Sequence, residues 1–452
     1  MLRILKFGGT SMGTKESITQ CGEIVAAAAR RGSVVVVVSA LAGVTNELIA
    51  LMDLAKREQT EQVQERVHEL ERRHRSICEG FVPRAQFEEL WTRRMVPLFE
   101  KLNLILTGTS FVGDMSDRSS ALVCAFGERL SSQIMHCALS ALGCKSEVRD
   151  ASSLVCTDAQ YLEANVDFSA SKKRFRSAVV PLLKKGTIVV IPGFIGGESS
   201  GHTTLLGRGG SDYSASIAGI CLGADAVEIW TDVDGILSAD PRRVKKGVRT
   251  WKTIGLAAVS EMAHSGAKVL HPKTITAAVH QQIPVIVRNT FNRSHPGTTV
   301  VPKDADKALR GVVTQGGQMI LHFTEPSMLA SAGFIHRVGS VFALHNIPID
   351  VCTTSEISFT CSIAESDFSA RLLKEFQSFA GVKIFRHLAK VAVIGNQISD
   401  DPRILERVMH ALHSIKLYAV SIGSSFDNIT LLVDETNAER ALTLLHASLF
   451  PV

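Results

Sequence analysis

No stretch of the 452 residues approaches the ~18 unbroken apolar positions of a membrane-spanning helix, so no membrane association is expected. Cys-x-x-Cys is absent, and the nine cysteines are odd in number and scattered. That excludes a disulfide scaffold and a structural zinc module, and leaves reduced, mostly buried thiols of a cytosolic protein. The start, Met1 to Phe7, lacks the apolar core of a secretory signal, so a cytoplasmic location is expected. No large excess of one charge exists either. Forty-nine Lys and Arg against 44 Asp and Glu give a net charge of +5, too little over this length to mark a nucleic-acid binder. Gly-x-x-x-x-Gly-Lys-Ser/Thr does not occur, so a P-loop fold is not supported. What is present is an ordinary globular composition, 45% apolar and 21% charged, long enough for two or three domains.

Leu2 to Phe7 reads as a strand, followed at once by Gly8-Gly9-Thr10-Ser11. A helix is expected from about Lys15 to Arg30, because Ile18, Cys21, Ile24 and Val25 share one face. Five consecutive valines, Val34 to Val38, then form a strand without alternation, which indicates burial on both faces of a parallel sheet. Similar strands recur at Thr187 to Pro192, Ala226 to Thr231 and Pro284 to Asn289, giving an α/β domain. Glu47 to Leu106 is charged and helical, a solvated excursion with i,i+4 pairs. Pro241-Arg-Arg-Val-Lys-Lys reads as a solvated loop, with Arg242 the exception. Near Pro296-Gly297 the character changes. The expected boundaries are a catalytic domain over 1–297, a connector over 298–315, and two smaller domains over 316–388 and 389–452. His345-Asn-Ile-Pro-Ile-Asp-Val aligns with His413-Ser-Ile-Lys-Leu-Tyr-Ala, each after an amphipathic helix (Met328 to Leu344; Arg403 to Leu412). A repeat of about 70 residues in strand–helix–strand–strand–helix–strand order is a ferredoxin-like unit, present twice.

Four segments carry residues that a plain scaffold has little use for. Lys6 ends the first strand beside a glycine pair whose N–H groups can turn toward one point, an anion nest with a point charge for phosphate. A tight turn alone would explain Gly8 and Gly9 but not Lys6. Ser39 to Asn46 follows the valine strand, where open α/β sheets bind ligands, although an N-cap explains Thr45 or Asn46 equally well. Gly193-Phe-Ile-Gly-Gly precedes Thr203-Thr-Leu-Leu-Gly-Arg208-Gly-Gly-Ser211-Asp212. There a helix start attracts anions, and capping accounts for Ser211 or Asp212 but not for Arg208 in its glycine frame. The fourth segment is the strand end Trp230-Thr-Asp232-Val-Asp234-Gly, running to Asp240-Pro-Arg242.

Taken together, KFGGTS, VVSALAGVTN, FGERLSS (Phe126 to Ser132), TTLLGRGGSD, TDVDGILSADPR and GAKVLHP (Gly266 to Pro272) resemble the amino-acid kinase family and, within it, the aspartate kinases. The tail resembles tandem ACT domains, and Ser327 to Phe334 with Asp350 to Glu356 is most similar to the lysine-inhibited, single-function type. The resemblance implies an αβα sandwich with a mostly parallel central sheet, followed by two ferredoxin-like α+β ACT domains. It also implies phosphoryl transfer from ATP, with Mg²⁺, to the side-chain carboxylate of L-aspartate. This is the first step of lysine, threonine, methionine and diaminopimelate biosynthesis. In the implied site Lys6 stabilises the transferring phosphoryl group and Asp212 holds Lys6. Arg208 grips the substrate α-carboxylate, Glu128 takes the α-ammonium, and Ser39, Thr45 and Ser211 complete the aspartate pocket. Gly8, Gly9, Ser11, Thr231, Asp232, Leu237, Arg242 and Lys268 fall at nucleotide positions, with no protein side chain assigned to a metal. Leu237 stands where the family commonly has Tyr or Phe. Lysine is expected at Met328, Ser331, Phe334, Asp350, Ser355 and Glu356, in a homodimer or homotetramer built through the ACT units. The chain ends after the second ACT unit, so no dehydrogenase domain is expected. The alternatives are another amino-acid kinase, acting on glutamate, acetylglutamate or UMP, and a non-catalytic amino-acid sensor.

Overall fold

The computed structural model describes residues 1–267, 270, 272–304, 306–324, 333–423 and 425–451. Two compact units are present. The first comprises Met1–Ile236, Trp251–Leu256 and Leu270–Pro302, the second Leu237–Thr250, Ala257–Val269 and Lys303–Val452.

In the first unit, strands β1 (Leu2–Phe7), β2 (Ser33–Val38), β3 (Ser146–Val148), β4 (Ile188–Pro192), β7 (Ala226–Thr231), β8 (Thr253–Gly255), β9 (Val285–Asn289) and β10 (Thr298–Val301) form one sheet. Between β4 and β7 lies a separate hairpin, β5 (Ile195–Gly197) and β6 (Thr203–Leu205). The sheet order is β3-β4-β2-β1-β7-β9-β10-β8, parallel throughout except for the β9–β10 pair. Val34 to Val38 are almost wholly buried, as an unbroken valine strand with both faces covered requires. Strand β1 lies between β2, which follows it in the chain, and β7, which is entered only after β4, so the strand order reverses at β1. Such a switch point opens a crevice beyond the carboxyl ends of the strands, where ligands bind. Lys6, Ser39, Gly193 and Thr231 all sit at those ends.

The charged excursion consists of helices Val44–Lys56, Thr60–Cys78, Arg84–Leu90 and Val96–Val112, with a π-helical turn at Trp91–Met95. Within it Val63, Val67, Leu70 and Cys78 make a buried stripe on an otherwise polar helix.

The second unit carries one antiparallel sheet of β11 (Leu309–Thr324), β12 (Cys352–Thr354), β13 (Ser358–Ala364), β14 (Gly381–Gly395), β15 (Leu417–Ile422) and β16 (Asn428–Asp434), in the order β12-β13-β11-β14-β16-β15. Two ferredoxin-like halves share it, but they are not simple successive repeats. Residues 318–324 of β11 pair with 381–388 of β14 in the first half, whereas 309–315 pair with 390–395 in the second. The second half therefore takes its fourth strand from upstream of the first, out of the stretch 298–315 expected as a connector. Gly316 and Gly317 mark the change. Gly317 adopts φ +68°, a left-handed conformation that glycine enters without penalty, and the ladder shifts register between Gln315 and Gln318. Met319, Leu321 and Phe323 alternate inward against Phe334, Val338, Phe342 and Phe376, forming an aromatic core. No helix among the described residues is long and apolar enough to cross a membrane.

Candidate functional site

A cavity of about 400 Å³ opens at the strand ends of the first unit. Lys6, Ser39, Thr45, Glu128, Arg208, Ser211 and Asp212 all line it, although they come from four separate stretches of sequence. These are the residues assigned above to the phosphoryl group and the amino-acid substrate.

Each is placed by a local device. Lys6 Nζ forms an ion pair with Asp212 Oδ1 at 2.5 Å, and both side chains are mostly buried. The glycine turn that follows borders this ammonium: a Cβ built at Gly8 would stand 3.5 Å from Lys6 Nζ. Helix Gly210–Leu222 is capped by the backbone of Gly209 in the left-handed region, with no side-chain cap. Capping therefore does not explain Asp212, which faces Lys6 instead. Likewise Gly43, not Thr45 or Asn46, stands at the N-cap of Val44–Lys56. Gly193 lets the end of β4 meet the helix start, because a Cβ there would lie 2.7 Å from that of Ser211. Arg208 is exposed between Gly207 (φ +73°) and Gly209 (φ +72°). It makes no hydrogen bond or ion pair among the described residues.

Glu128 lies in the first turn of helix Phe126–Ala141. Gly127 allows that helix to approach, since a Cβ at this position would lie 2.8 Å from that of Ala40, and Ser131 Oγ donates to the carbonyl of Ser39 at 2.7 Å. Burial pushes the Glu128 carboxyl from 4.5 up to about 8, against the opposing pull of the Ala40 backbone N–H and the Lys6 charge. Its Oε2 is buried without a hydrogen-bond partner among the described residues. A buried carboxyl with an orphaned oxygen, facing a cavity, is arranged to receive a cation. Next to it Arg129 turns away, pairing with Asp150 at 2.7 Å and donating to Thr203 Oγ1 at 3.0 Å, which braces hairpin β5–β6.

Besides Gly207, Gly209 and Gly210, the glycine frame of Arg208, the cavity contains residues for which the sequence suggested no role: Leu162, Glu163 and Phe194. Phe194 takes a positive φ of 68°, unusual for a side chain of that size, and its position between Gly193 and Gly196 was the available signal. Leu162 and Glu163 arrive on an irregular loop, through a bridge from Glu163 to Leu206, and no motif announced them.

The assigned nucleotide residues are less uniform. Gly8 and Gly9 form the turn, with Gly8 N–H donating to the Trp230 carbonyl at 3.2 Å. Ser11 is fully buried and is not part of the cavity wall; its hydroxyl shares a 2.7 Å hydrogen bond with Thr290, fastening the turn to the sheet. Thr231 donates to Asp232 at 3.1 Å at the end of β7. Leu237 and Arg242 belong to the second unit, where Asp240 holds Arg242 through Nε and Nη2, both at 3.0 Å. Lys268 lies outside the described residues.

Of the effector positions, Met328 and Ser331 also lie outside the described residues. The Phe334 ring packs in the hydrophobic core, edge-on to Phe379, as the start of an amphipathic helix dictates. Asp350 is ion-paired with Lys390 at 2.8 Å. Ser355 and Ser358 close the β12–β13 turn through a 2.7 Å hydroxyl contact, with Glu356 exposed at its tip.

Comparison with known proteins is consistent along the whole length. Residues 1–289 match the model of the amino acid kinase family and residues 391–449 that of an ACT domain. The chain is 31% identical over 456 residues to the lysine-sensitive aspartokinase 3 of Escherichia coli, covering 99% of each. It is 29% identical to an aspartokinase of Chlamydia trachomatis, with 99% of this chain and 98% of the other aligned. The fold matches crystal structures of E. coli aspartokinase III in complex with aspartate and ADP (R-state; TM-score 0.84, 31% identity, all of both chains). It also matches that enzyme in complex with lysine and aspartate (T-state; TM-score 0.83, 30% identity, 99% of both chains).

Proposed function

Because the chain belongs to the amino acid kinase family and, within it, to the aspartokinases, we infer that it transfers the γ-phosphoryl group of ATP to the side-chain carboxylate of L-aspartate, giving 4-phospho-L-aspartate and ADP. The observation that carries this reading is the cavity in which Lys6, Asp212, Glu128 and Arg208 converge. The nucleophile is a carboxylate with an ordinary pKa near 3.9, ionised at neutral pH, so no general base is required. The barrier is electrostatic: an anion must approach a polyanion, and fixed cations and N–H donors offset that repulsion. Lys6, held by Asp212, stabilises the transferring group, with the Gly8–Gly9 turn against the phosphates. Arg208 grips the α-carboxylate of aspartate through its forked donors, and Glu128 receives the α-ammonium. Ser39, Thr45 and Ser211 complete that pocket. Thr231, Asp232, Leu237, Arg242 and Lys268 serve the nucleotide.

Mg²⁺ accompanying the nucleotide would supply charge neutralisation of the phosphates. Lysine is the proposed inhibitor, acting on a two-state equilibrium through Met328, Ser331, Phe334, Asp350, Ser355 and Glu356 in a cytoplasmic homodimer or homotetramer assembled through the ACT units. The decisive experiment is an ADP-release assay with aspartate, glutamate, acetylglutamate and UMP, each with and without lysine. Turnover with aspartate alone, reduced by lysine, is the expected result. Turnover with a different acceptor makes it another amino-acid kinase, and none with any acceptor makes it a sensor.

A further inference from the structure

The segment Leu237–Thr250 carries two of the residues assigned to the nucleotide, yet it belongs to the second unit. Its neck is closed by a bridge between Leu237 and Thr250 and by Ser238 N–H donating to the Arg249 carbonyl at 2.9 Å. Ser238 ties the neck to the rest of that unit. The Ser238 carbonyl accepts from Val312 N–H at 2.8 Å, on β11. Gly311 permits that approach, since a Cβ there would stand 2.8 Å from the Ser238 carbonyl oxygen. The Ser238 hydroxyl accepts from Arg249 N–H at 2.9 Å and lies 2.9 Å from His446 Nε2.

Both Ser238 and His446 are essentially inaccessible to solvent, and His446 is stacked on Phe450 within helix Ala438–Leu449 and the residue after it. Burial, followed by the nearby Arg249 charge, holds the His446 imidazole below its usual range. In the tautomer protonated at Nδ1, a neutral ring has Nε2 free to accept the Ser238 O–H. A buried hydroxyl–imidazole pair of this kind is directional, and it joins the last helix of the chain to a point four residues before Arg242. Arg243 reaches toward Glu439 on the same helix at 3.9 Å, and Arg249 donates to the Pro451 carbonyl at 2.5 Å.

We propose that Ser238 and His446 are positioning residues for the nucleotide, fixing the loop that carries Leu237 and Arg242 to the C-terminal helix. This rests on the assignment of Leu237 and Arg242 to the nucleotide. Steady-state kinetics on the full-length protein test it, with Ser238→Ala, His446→Leu, His446→Gln and Arg242→Ala compared for KM(ATP), KM(aspartate) and kcat, and with thermal unfolding followed in parallel. The expected result is a rise in KM(ATP) of about three- to tenfold for Ser238→Ala and His446→Leu, the size of one lost hydrogen bond. KM(aspartate) should stay unchanged, and His446→Gln, which keeps an acceptor near the Nε2 position, should restore KM(ATP). If Arg242→Ala raises KM(ATP) while Ser238→Ala does not, the positioning inference is overturned and the nucleotide assignment survives. If Arg242→Ala leaves KM(ATP) unchanged, the assignment fails and the inference with it. An equal rise in both KM values, or a Gln variant as impaired as the Leu variant, reduces the pair to a stability element and overturns the proposal. Should His446→Leu not fold, Ser238→Ala, a one-atom truncation, decides between these outcomes.

Discussion

Lys6 at the end of β1 and Asp212 in the first turn of helix Gly210–Leu222 meet at 2.5 Å inside the cavity, an ion pair made by residues far apart in sequence. A charge held this way needs no rearrangement when negative charge shifts during transfer. Lys6→Met should therefore cost about 3–4 kcal/mol in the chemical step, as loss of a preorganised charge partner does elsewhere. Single-turnover measurement of ADP release checks it, and an undiminished rate would remove Lys6 from the site.

Glu128 predicts a pH dependence with a definite sign. Its carboxyl is raised to about 8, so below that pH the empty site holds it neutral, and an incoming ammonium must draw off the proton. KM for aspartate should fall as pH rises from about 6.5 to 8.5. The folded protein retains a proton that the unfolded chain releases near 4.5, so this group makes the ligand-free protein less stable as pH climbs from there toward 8. In Glu128→Gln both trends should flatten while KM for aspartate rises. Titration of KM and of the unfolding temperature, wild type against variant, separates these effects, and a variant with unchanged slopes would refute the assignment.

Much of this arrangement was legible in the sequence, because the residues concerned announce themselves by chemical incongruity. Five valines in a row demand a doubly covered strand, and an arginine framed by glycines has no scaffold role. Ser11 did not separate in this way. A serine beside a glycine pair reads as a phosphate contact or as a turn fastener, and its partner Thr290 lies on the far side of the domain in sequence. Leu162 and Glu163 gave no signal, since an irregular loop has no period. The split use of β11 was hidden for another reason: a strand shared by two halves has the same alternation as a strand used by one, and only Gly316-Gly317 hints at the break.

Arg208 is the exposed cation of the cavity and has no protein partner among the described residues, which suits a group that must pair with substrate. Arg208→Ala should raise KM for aspartate by about ten- to a hundredfold, the range for a lost charge-assisted contact, and leave KM for ATP nearly unchanged. Initial rates with each substrate varied in turn decide this. An effect confined to ATP would assign the guanidinium to the wrong anion.

The effector positions predict separable control. Glu356 is exposed at the β12–β13 turn, and the Asp350 carboxylate is already held by Lys390, so Glu356 is the carboxylate more readily available to an added ammonium. Glu356→Ala should raise the lysine concentration for half-inhibition by about tenfold or more, with the uninhibited rate intact. Met328→Ala should act in the same direction. Inhibition curves for both variants are the measurement, and curves that superimpose on the wild type would move lysine elsewhere.

Leu237 is the aliphatic residue assigned to the adenine base. It is half-buried at the neck of the loop, where its backbone bridges Thr250. An aliphatic side chain keeps apolar contact with a base but forfeits ring stacking, worth about 0.5–1.5 kcal/mol beyond the buried area. Leu237→Tyr should thus lower KM for ATP by about two- to tenfold. It should also sharpen discrimination between purine and pyrimidine triphosphates, because stacking grows with the area of the base. The same substitution leaves the cavity of Lys6, Glu128 and Arg208 untouched, so KM for aspartate should not move. A KM for ATP that stays the same or increases would show that Leu237 does not contact the base, and would shift the nucleotide assignment onto Arg242 alone within this loop.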